Sequence, residues 1–444
     1  MEKYNNLKQA IKIVKKLIEN DCNVDDNIID FLLESNKNIK CTQKFMENLC
    51  GETLSYVDLS GFTLLHKCVI LTAKYPNLNN ILRNYFNVCS EFRDSINTTT
   101  NNGWSALHLA SRNSKTTSTE DTVKLLIDSG ANVNLQDNDG WTALHFASFN
   151  SKTISTEGTV KLLIDAGANV NLQHKGGWTA LHFASRYSKT DSSVGTVKLL
   201  IDAGANVNLQ NIDGWSALHM ASRYSKTAST EETVKLLIDA GANVNLQNNG
   251  LSALHLASRY SKNDSTEDTV KLLIDAGANV NLQDNNGWTA LHLASFFSKT
   301  TSTEGTVKLL IDAGASVNLQ NNDGLSALHL ACSSGTESTE ETMIMLVLNG
   351  ANINLKNNEN ITPIDLLPSD FVKIKNIFTM IIEQKKYNKN IGECVICFGE
   401  LESFTCNYNH NVCFECLVKS KNNLCPICLK QFKLPKTTDN CFIL

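Results

Sequence analysis

Residues 140–173, GWTALHFASFNSKTISTEGTVKLLIDAGANVNLQ, decide the fold because close copies of this stretch fill most of the chain. Its opening motif is Gly, then Trp or Leu, then Ser/Thr-Ala-Leu-His, and it recurs at a step of 37 residues, once 36. The seven copies begin at Gly103, Gly140, Gly177, Gly214, Gly250, Gly287 and Gly324. Tandem copies at a fixed period of this size indicate a repeat architecture.

Each copy predicts two helices and a turn. Thr142 stands directly before Ala-Leu-His, where its hydroxyl can cap a first helix. A second helix gains its apolar face from Val160, Leu162, Leu163 and Ile164. Gly167 suits a left-handed helix end, and residues 137–140 suit a hairpin tip with positive φ. One unit cannot bury its own apolar face, so neighbouring units must stack into a solenoid.

This unit resembles the ankyrin repeat. The resemblance implies a mostly α fold, a solenoid of helix-turn-helix units joined by hairpin loops, with a concave surface that binds proteins. We expect nine units over residues 58–368, because residues 61–66 and 361–365 begin degenerate copies that can serve as caps. Residues 1–57 are predicted to form an N-terminal helical cap, and residues 369–390 a capping helix and a polar linker.

The units are four residues longer than the usual 33, and the extra residues lie between the two helices. Polar Ser/Thr/Lys segments of this kind predict solvated loops. One lysine per loop should line up along an edge: Lys115, Lys152, Lys189, Lys226, Lys262 and Lys299. This ridge is either a partner-binding ladder or a solvated face balanced by glutamates, namely Glu120, Glu157, Glu231, Glu267 and Glu304.

A variable pair ends each first helix, while the rest of the unit scarcely changes. The candidate substrate-binding residues are Arg186, Tyr187, Arg223, Tyr224, Arg259 and Tyr260. Arg and Tyr are enriched in binding hot spots, so these pairs either contact a protein substrate in the groove or pack on the enlarged loop.

One histidine per unit occupies the Ala-Leu-His position. A period of one per repeat is what a structural role predicts, and in ankyrin-like units this histidine ties the hairpin to the helix. The five tryptophans also share one repeat position, and we predict that they belong to the core. The sequence contains no phosphate-binding glycine loop, nucleophile elbow or paired-carboxylate motif.

A different pattern lies near the C-terminus. Residues 394–428 read Cys-x2-Cys-x8-Cys-x3-His-x2-Cys-x2-Cys-x8-Cys-x2-Cys. Four closely spaced ligand pairs predict two closed, structural Zn²⁺ sites. The order resembles the RING finger, which we place at residues 391–433. By that resemblance one ion is held by Cys394, Cys397, Cys413 and Cys416, and the other by Cys406, His410, Cys425 and Cys428.

The combination leaves two functions open. A RING-type E3 ubiquitin ligase would capture a substrate on the repeats and recruit a ubiquitin-charged conjugating enzyme through Ile396, Leu417, Pro426 and Ile427, by motif position. Ankyrin arrays followed by a RING are known in mind-bomb ligases and in large DNA viruses. A non-enzymatic adaptor is the alternative, because Ser420 and Leu429 stand where many active RINGs carry Trp and Arg.

Composition indicates the compartment. The net charge of −5 shows no dominant block and no basic stripe interleaved with aromatics, so we expect no nucleic-acid partner. Seven of the 14 cysteines lie in the metal pattern and most others are scattered, which favours a reducing, cytoplasmic location.

In the tail, residues 434–444, Cys441 begins a prenylation-like Cys-Phe-Ile-Leu motif. Either a lipid there gives reversible endomembrane association, or the tail packs on the RING.

Overall fold

The computed structural model describes residues 61–76, 78–88, 93–333, 337–368, 371, 374–378, 391–393, 400–405 and 411–413. The predicted N-terminal cap (1–57) and tail (434–444) lie outside these residues. The chain divides into two compact units. Unit one contains the described residues up to 294 together with 301–314, and unit two contains 295–300 and the described residues from 315 onward.

Paired helices confirm the mostly helical repeat fold. In chain order the helices are α1 (Leu64–Val69), α2 (Leu78–Val88), α3 (Ala106–Arg112), α4 (Glu120–Asp128), α5 (Ala143–Asn150), α6 (Glu157–Asp165), α7 (Ala180–Tyr187), α8 (Val194–Asp202), α9 (Ala217–Tyr224), α10 (Glu231–Asp239), α11 (Ala253–Tyr260), α12 (Glu267–Asp275), α13 (Ala290–Phe296), α14 (Glu304–Asp312), α15 (Ala327–Ser333) and α16 (Glu340–Leu348). Short 3₁₀ helices cover Ser95–Asn97 and Pro363–Leu366.

The first helices begin with the predicted cap. Thr142 precedes α5, and its hydroxyl accepts the backbone N–H of His145. His145 completes a capping box, because its Nδ1 accepts the backbone N–H of Thr142 at 3.0 Å. Equivalent boxes precede α1, α3, α7, α9 and α11, so the degenerate first copy at residue 61 also starts as a repeat.

The second helices end as predicted. Gly167 follows α6 with φ +85°, and the N–H of Ala168 donates to the carbonyl of Leu163 at 3.0 Å. Gly140 ends the hairpin turn with φ +83°. A methyl group on Gly140 would meet the backbone of His174 and Lys175 at 3.0 Å, so glycine there also permits close approach of the next hairpin.

The core lies between successive repeats. Within unit one the first helices pack on one another from α3 through α11, and the second helices pack on one another from α4 through α14. Val160 and Leu163 of α6 are fully buried, whereas Leu162 and Ile164 are half-buried. In unit two α15 packs on α16 and on the 3₁₀ helix Pro363–Leu366.

The inter-helix loops differ from the prediction of solvated segments. Lys226 and Thr227 are exposed, but Ser229 in the same loop is fully buried. Its hydroxyl donates to the carbonyl of Ser185 in the preceding repeat at 2.6 Å. Thr233 donates to Ser188 at 2.7 Å, and Ser188 lies 3.1 Å from the Ser229 hydroxyl. Since Ser229 already uses its proton, Ser188 is the donor in this last contact.

This hydroxyl chain recurs along unit one. Serines Ser155, Ser265 and Ser302 donate to carbonyls of the preceding repeat at 2.6–2.7 Å. The loop backbones are joined too, since the N–H of Lys152 donates to the carbonyl of Asp191 at 3.1 Å. The loop prediction was wrong in this respect, because stacking removes the inner hydroxyls from water and pairs them between repeats.

Near the C-terminus the described residues form three short strands in unit two. They are β1 (Ile391–Glu393), β2 (Glu400–Thr405) and β3 (Asn411–Cys413). The strands are antiparallel in the order β1-β2-β3, with Leu401 opposite Gly392 and Phe404 opposite Val412. In the described parts of the chain no helix is long and apolar enough to span a membrane.

Candidate protein-binding surface

Arginine and tyrosine side chains from three consecutive repeats come together in unit one. Arg186 and Tyr187 end α7, Arg223 and Tyr224 end α9, and Arg259 and Tyr260 end α11. We call these six residues the Arg–Tyr column. All six are half-buried. The structure therefore joins the six predicted substrate-binding candidates, which are a repeat apart in sequence.

Cation–π contacts build the column. The guanidinium carbon of Arg186 lies 5.1 Å from the ring centre of Tyr187 and 4.9 Å from that of Tyr224. Arg223 lies 5.1 Å from Tyr224 and 4.5 Å from Tyr260. Because Arg of one repeat covers Tyr of the next, charged and aromatic groups alternate. The sequence identified the Arg–Tyr pairs but not this alternation, because Arg and Tyr of different repeats meet only when the repeats stack.

A stack of aromatic rings continues the column toward the N-terminal repeats. Trp104, Phe146, Trp141, Phe183 and Trp178 follow one another with ring centres 4.5–5.0 Å apart. Arg186 lies 5.7 Å from the last ring, so the stack and the column meet there. All five tryptophans are half-buried, so their prediction as core residues was wrong. The indole of Trp141 lies against the buried side chains of both Phe146 and Phe183.

Two arginines of the column have unpaired charges. Within the described residues Arg186 and Arg223 form no ion pair, unlike Lys124 and Lys161, which pair with Asp128 and Asp165. The Nε of Arg223 is buried and has no hydrogen-bond partner in this part of the chain. A guanidinium whose Nε is desolvated and has no acceptor favours an external anion at its terminal N–H groups.

The lysine ridge forms in the predicted register. The ammonium groups of Lys115, Lys152, Lys189 and Lys226 each donate to the carbonyl of the next lysine in the ridge, at 2.5–3.1 Å. In the described repeats, four of the five predicted glutamates bind helix caps. Glu231 accepts from the hydroxyl of Thr266, the cap of the next second helix, at 2.6 Å, and Glu120, Glu157 and Glu267 accept from the corresponding caps. The ridge is thus partly an internal tie between loops.

The repeated histidines confirm the predicted structural role. The Nε2 of His145 lies 3.1 Å from the carbonyl of Trp178 in the next repeat. Since Nδ1 accepts a backbone N–H, the proton is on Nε2, which donates to that carbonyl. The same link is present at His66, His108, His182, His219, His255 and His329. Burial lowers the pKa of His145, His182 and His219 to about 4, so these rings are neutral.

The two predicted zinc sites lie almost entirely outside the described residues. Of the eight predicted ligands only Cys413 lies in a described segment, β3, and the predicted conjugating-enzyme contacts and Cys441 lie outside as well. Elsewhere in the described residues no group of three or more His, Cys, Asp or Glu could hold a metal ion. Cys68 and Cys332 are both buried, and burial raises the pKa of the Cys332 thiol.

Sequence reasoning missed one exposed apolar residue. Ile212 lies at a hairpin tip with 75% of its surface exposed, and it is the one large apolar side chain so exposed in the described part of the chain. Its signal was available, because Asn138, Asn285 and Asn322 stand at the same place in other repeats. A single exposed apolar side chain is common on protein surfaces, so Ile212 by itself marks no binding site.

Comparison with known proteins gives the same repeat. The family described as Ankyrin repeats (3 copies) matches overlapping segments from residues 69–157 to residues 298–390. No curated protein matches the chain. The solved human ASB11 ankyrin repeat domain is 27% identical, with 56% of this chain and 99% of that chain covered and a TM-score of 0.45. The Bcl-3 ankyrin repeat domain is also 27% identical, with 55% and 99% covered and a TM-score of 0.44.

The family match agrees with the helix pairs, hairpins and capping boxes of the described repeats. Most of the chain is covered by the family match, and the chain belongs to the ankyrin-repeat family.

Proposed function

We propose that this protein is a RING-type E3 ubiquitin ligase. One observation carries the proposal: an ankyrin array is followed, in the same chain, by eight zinc-ligand residues in four ordered pairs at residues 394–428. The array of ankyrin repeats is a protein-interaction domain. The RING-like module that contains these ligands recruits a ubiquitin-charged conjugating enzyme.

The array captures the substrate on the face that carries the Arg–Tyr column. Support comes from its chemistry, since Arg and Tyr dominate protein-binding hot spots. Their side chains are half-buried and held by neighbouring rings, so binding orders few new rotamers. Unpaired guanidinium groups on Arg186 and Arg223 give the face polar specificity.

The C-terminal module, residues 391–433, holds two structural zinc ions. Seven thiolates and one imidazole are the donors that Zn²⁺ prefers, so the residues fit the metal. The crossed assignment given by the RING resemblance places Cys394 in one site and His410 in the other. The ions fix the fold, and the groove formed by Ile396, Leu417, Pro426 and Ile427 binds the conjugating enzyme. Catalysis is then by positioning, because the nucleophilic lysine belongs to the substrate and the thioester to the partner enzyme.

A ubiquitin-transfer reaction tests this function. The full chain is incubated with ubiquitin, activating enzyme, ATP and a panel of conjugating enzymes, and ubiquitin chains on the protein itself are the expected product. Ile396→Ala abolishes the product and retains zinc, which separates recruitment from folding. No product with any conjugating enzyme, from protein that carries its zinc, refutes ligase activity.

A non-enzymatic adaptor is the second candidate. It is favoured by Ser420 and Leu429, which replace the Trp and Arg of many active RINGs. In an adaptor the zinc module serves as a structural or dimerising element, and Ile396→Ala has no effect on partner capture or on any transfer reaction.

We further propose a cytoplasmic protein with a reversible endomembrane pool through prenylation of Cys441. A single lipid chain gives only reversible membrane binding. Intact mass of the protein from eukaryotic cells is expected to show loss of the last three residues and a geranylgeranyl addition, both absent in Cys441→Ser. An unmodified C-terminus at Leu444 refutes the lipid and favours a packing role for the tail.

A further inference from the structure

We propose that the Arg–Tyr column is a docking site for an acidic segment of a protein partner, bound through Asp or Glu carboxylates. The inference rests on the proposed function in one respect, that the array captures a protein. It adds the chemical class of the segment that is recognised.

The column holds its guanidinium groups in place before a partner arrives. Arg186 lies within 6 Å of the rings of Trp178, Tyr187 and Tyr224. Arg223 lies within the same distance of Tyr224 and Tyr260. Flanking rings restrict the rotamers of a long side chain, so the entropy lost on binding a carboxylate is reduced.

Electrostatics select the ligand. Arg186 and Arg223 have no acidic partner in the described residues, although the whole chain carries a net charge of −5. Burial of the unpartnered Nε of Arg223 removes hydration from the cation. A planar guanidinium with free N–H groups matches a carboxylate, which can accept two parallel hydrogen bonds.

Single-stranded nucleic acid fits the column less well. Base binding requires open aromatic faces in addition to cations. Guanidinium groups already lie over the rings of Tyr187, Tyr224 and Tyr260. The ammonium groups of Lys189 and Lys226 in the neighbouring ridge each also use one N–H on a loop carbonyl, which leaves fewer donors for a phosphate backbone.

The test uses the purified full chain and fluorescence anisotropy. The probes are a fluorescein-labelled Glu-Ser repeat peptide, its Gln-Ser counterpart and a labelled oligouridylate. We expect the Glu-Ser peptide to bind with salt-sensitive affinity and the other two to bind far more weakly. Arg223→Gln and Arg186→Gln should each weaken binding of the Glu-Ser peptide about tenfold, as loss of a charged hydrogen bond predicts.

Two further variants keep the result interpretable. Lys226→Gln removes an exposed charge in the same repeat outside the column and should leave affinity unchanged. Arg223→Lys keeps the charge and spares the fold but loses the planar fork, so its affinity should fall between those of wild type and Arg223→Gln. Circular dichroism melting checks that every variant is folded.

Three outcomes overturn the inference: no binding of the Glu-Ser peptide, equal binding by the arginine variants, or stronger binding of oligouridylate. Self-ubiquitination by the same proteins is measured in parallel and does not depend on the column. Protein that ubiquitinates itself but does not bind the acidic peptide refutes the docking site alone. Protein that binds the peptide but shows no self-ubiquitination refutes the proposed ligase activity alone.

Discussion

Lowering the pH from about 7.5 to about 5 is expected to destabilise unit one, because its repeated histidines are buried in the neutral form. His145, His182 and His219 are each 1% exposed. Desolvation lowers the pKa of each to about 4, against 6.5 for an exposed ring. The contribution of the neutral rings is therefore complete above pH 6.5 and is lost as the pH falls toward 4.

The magnitude follows from the two pKa values. At about pH 5 the unfolded ring is protonated and the folded ring is not, which costs about 2 kcal/mol per histidine. If unit one unfolds cooperatively, the three histidines together lower its free energy of unfolding by about 6 kcal/mol at this pH. That loss is comparable to the whole stability of many domains. Burial also lowers the pKa of His66, His108 and His255, so these rings act in the same direction.

Urea denaturation followed by tryptophan fluorescence and circular dichroism measures the effect. His182→Gln should lower stability at neutral pH and reduce the pH slope between about pH 5 and 6 by about 1 kcal/mol per unit. Thr227→Ala, at an exposed loop position, should leave that slope unchanged. An unfolding free energy that is the same at both pH values would refute the assignment of these rings as buried and neutral.

Three further outcomes follow from the geometry. In urea denaturation, Gly140→Ala should lower the free energy of unfolding more than Gly167→Ala. Positive φ costs each variant about 1–2 kcal/mol, but only the new methyl group at residue 140 meets a neighbouring backbone. Equal losses of stability in the two variants would contradict this contact. Ser229→Ala should cost about 1–3 kcal/mol by the same measurement, with Thr227→Ala near zero, and an equal effect of both would contradict the buried hydroxyl chain. Metal analysis of the full chain should give two zinc ions per chain, and one ion or none would refute the two-site prediction.

The repeats could be predicted from sequence because their signals are local. The Thr142 cap, the hairpin at Gly140 and the helix end at Gly167 each depend on residues within one unit. The same position repeated in every unit also identified the histidines as structural. These features need no knowledge of how neighbouring repeats stack.

Features created by stacking could not be predicted in this way. Ser229 is polar and lies in a loop, so composition predicts exposure, yet the preceding repeat covers it and supplies its acceptor. The regular return of Ser at this position was the available signal, since a solvated loop requires no particular residue. Contacts between Arg186 and Tyr224 depend on the distance between adjacent helices, which no single unit encodes.

The central proposal is that the ankyrin array captures the partner and the zinc module recruits the conjugating enzyme that modifies it. The most direct measurement is ubiquitin transfer to a partner that was recovered with the full chain and identified by mass spectrometry. Wild type should modify both itself and the partner. A protein with Arg186 and Arg223 both changed to Gln should modify itself but not the partner, and Ile396→Ala should capture the partner and modify neither. Partner modification by Ile396→Ala, or by the arginine variant at the wild-type rate, would contradict the account.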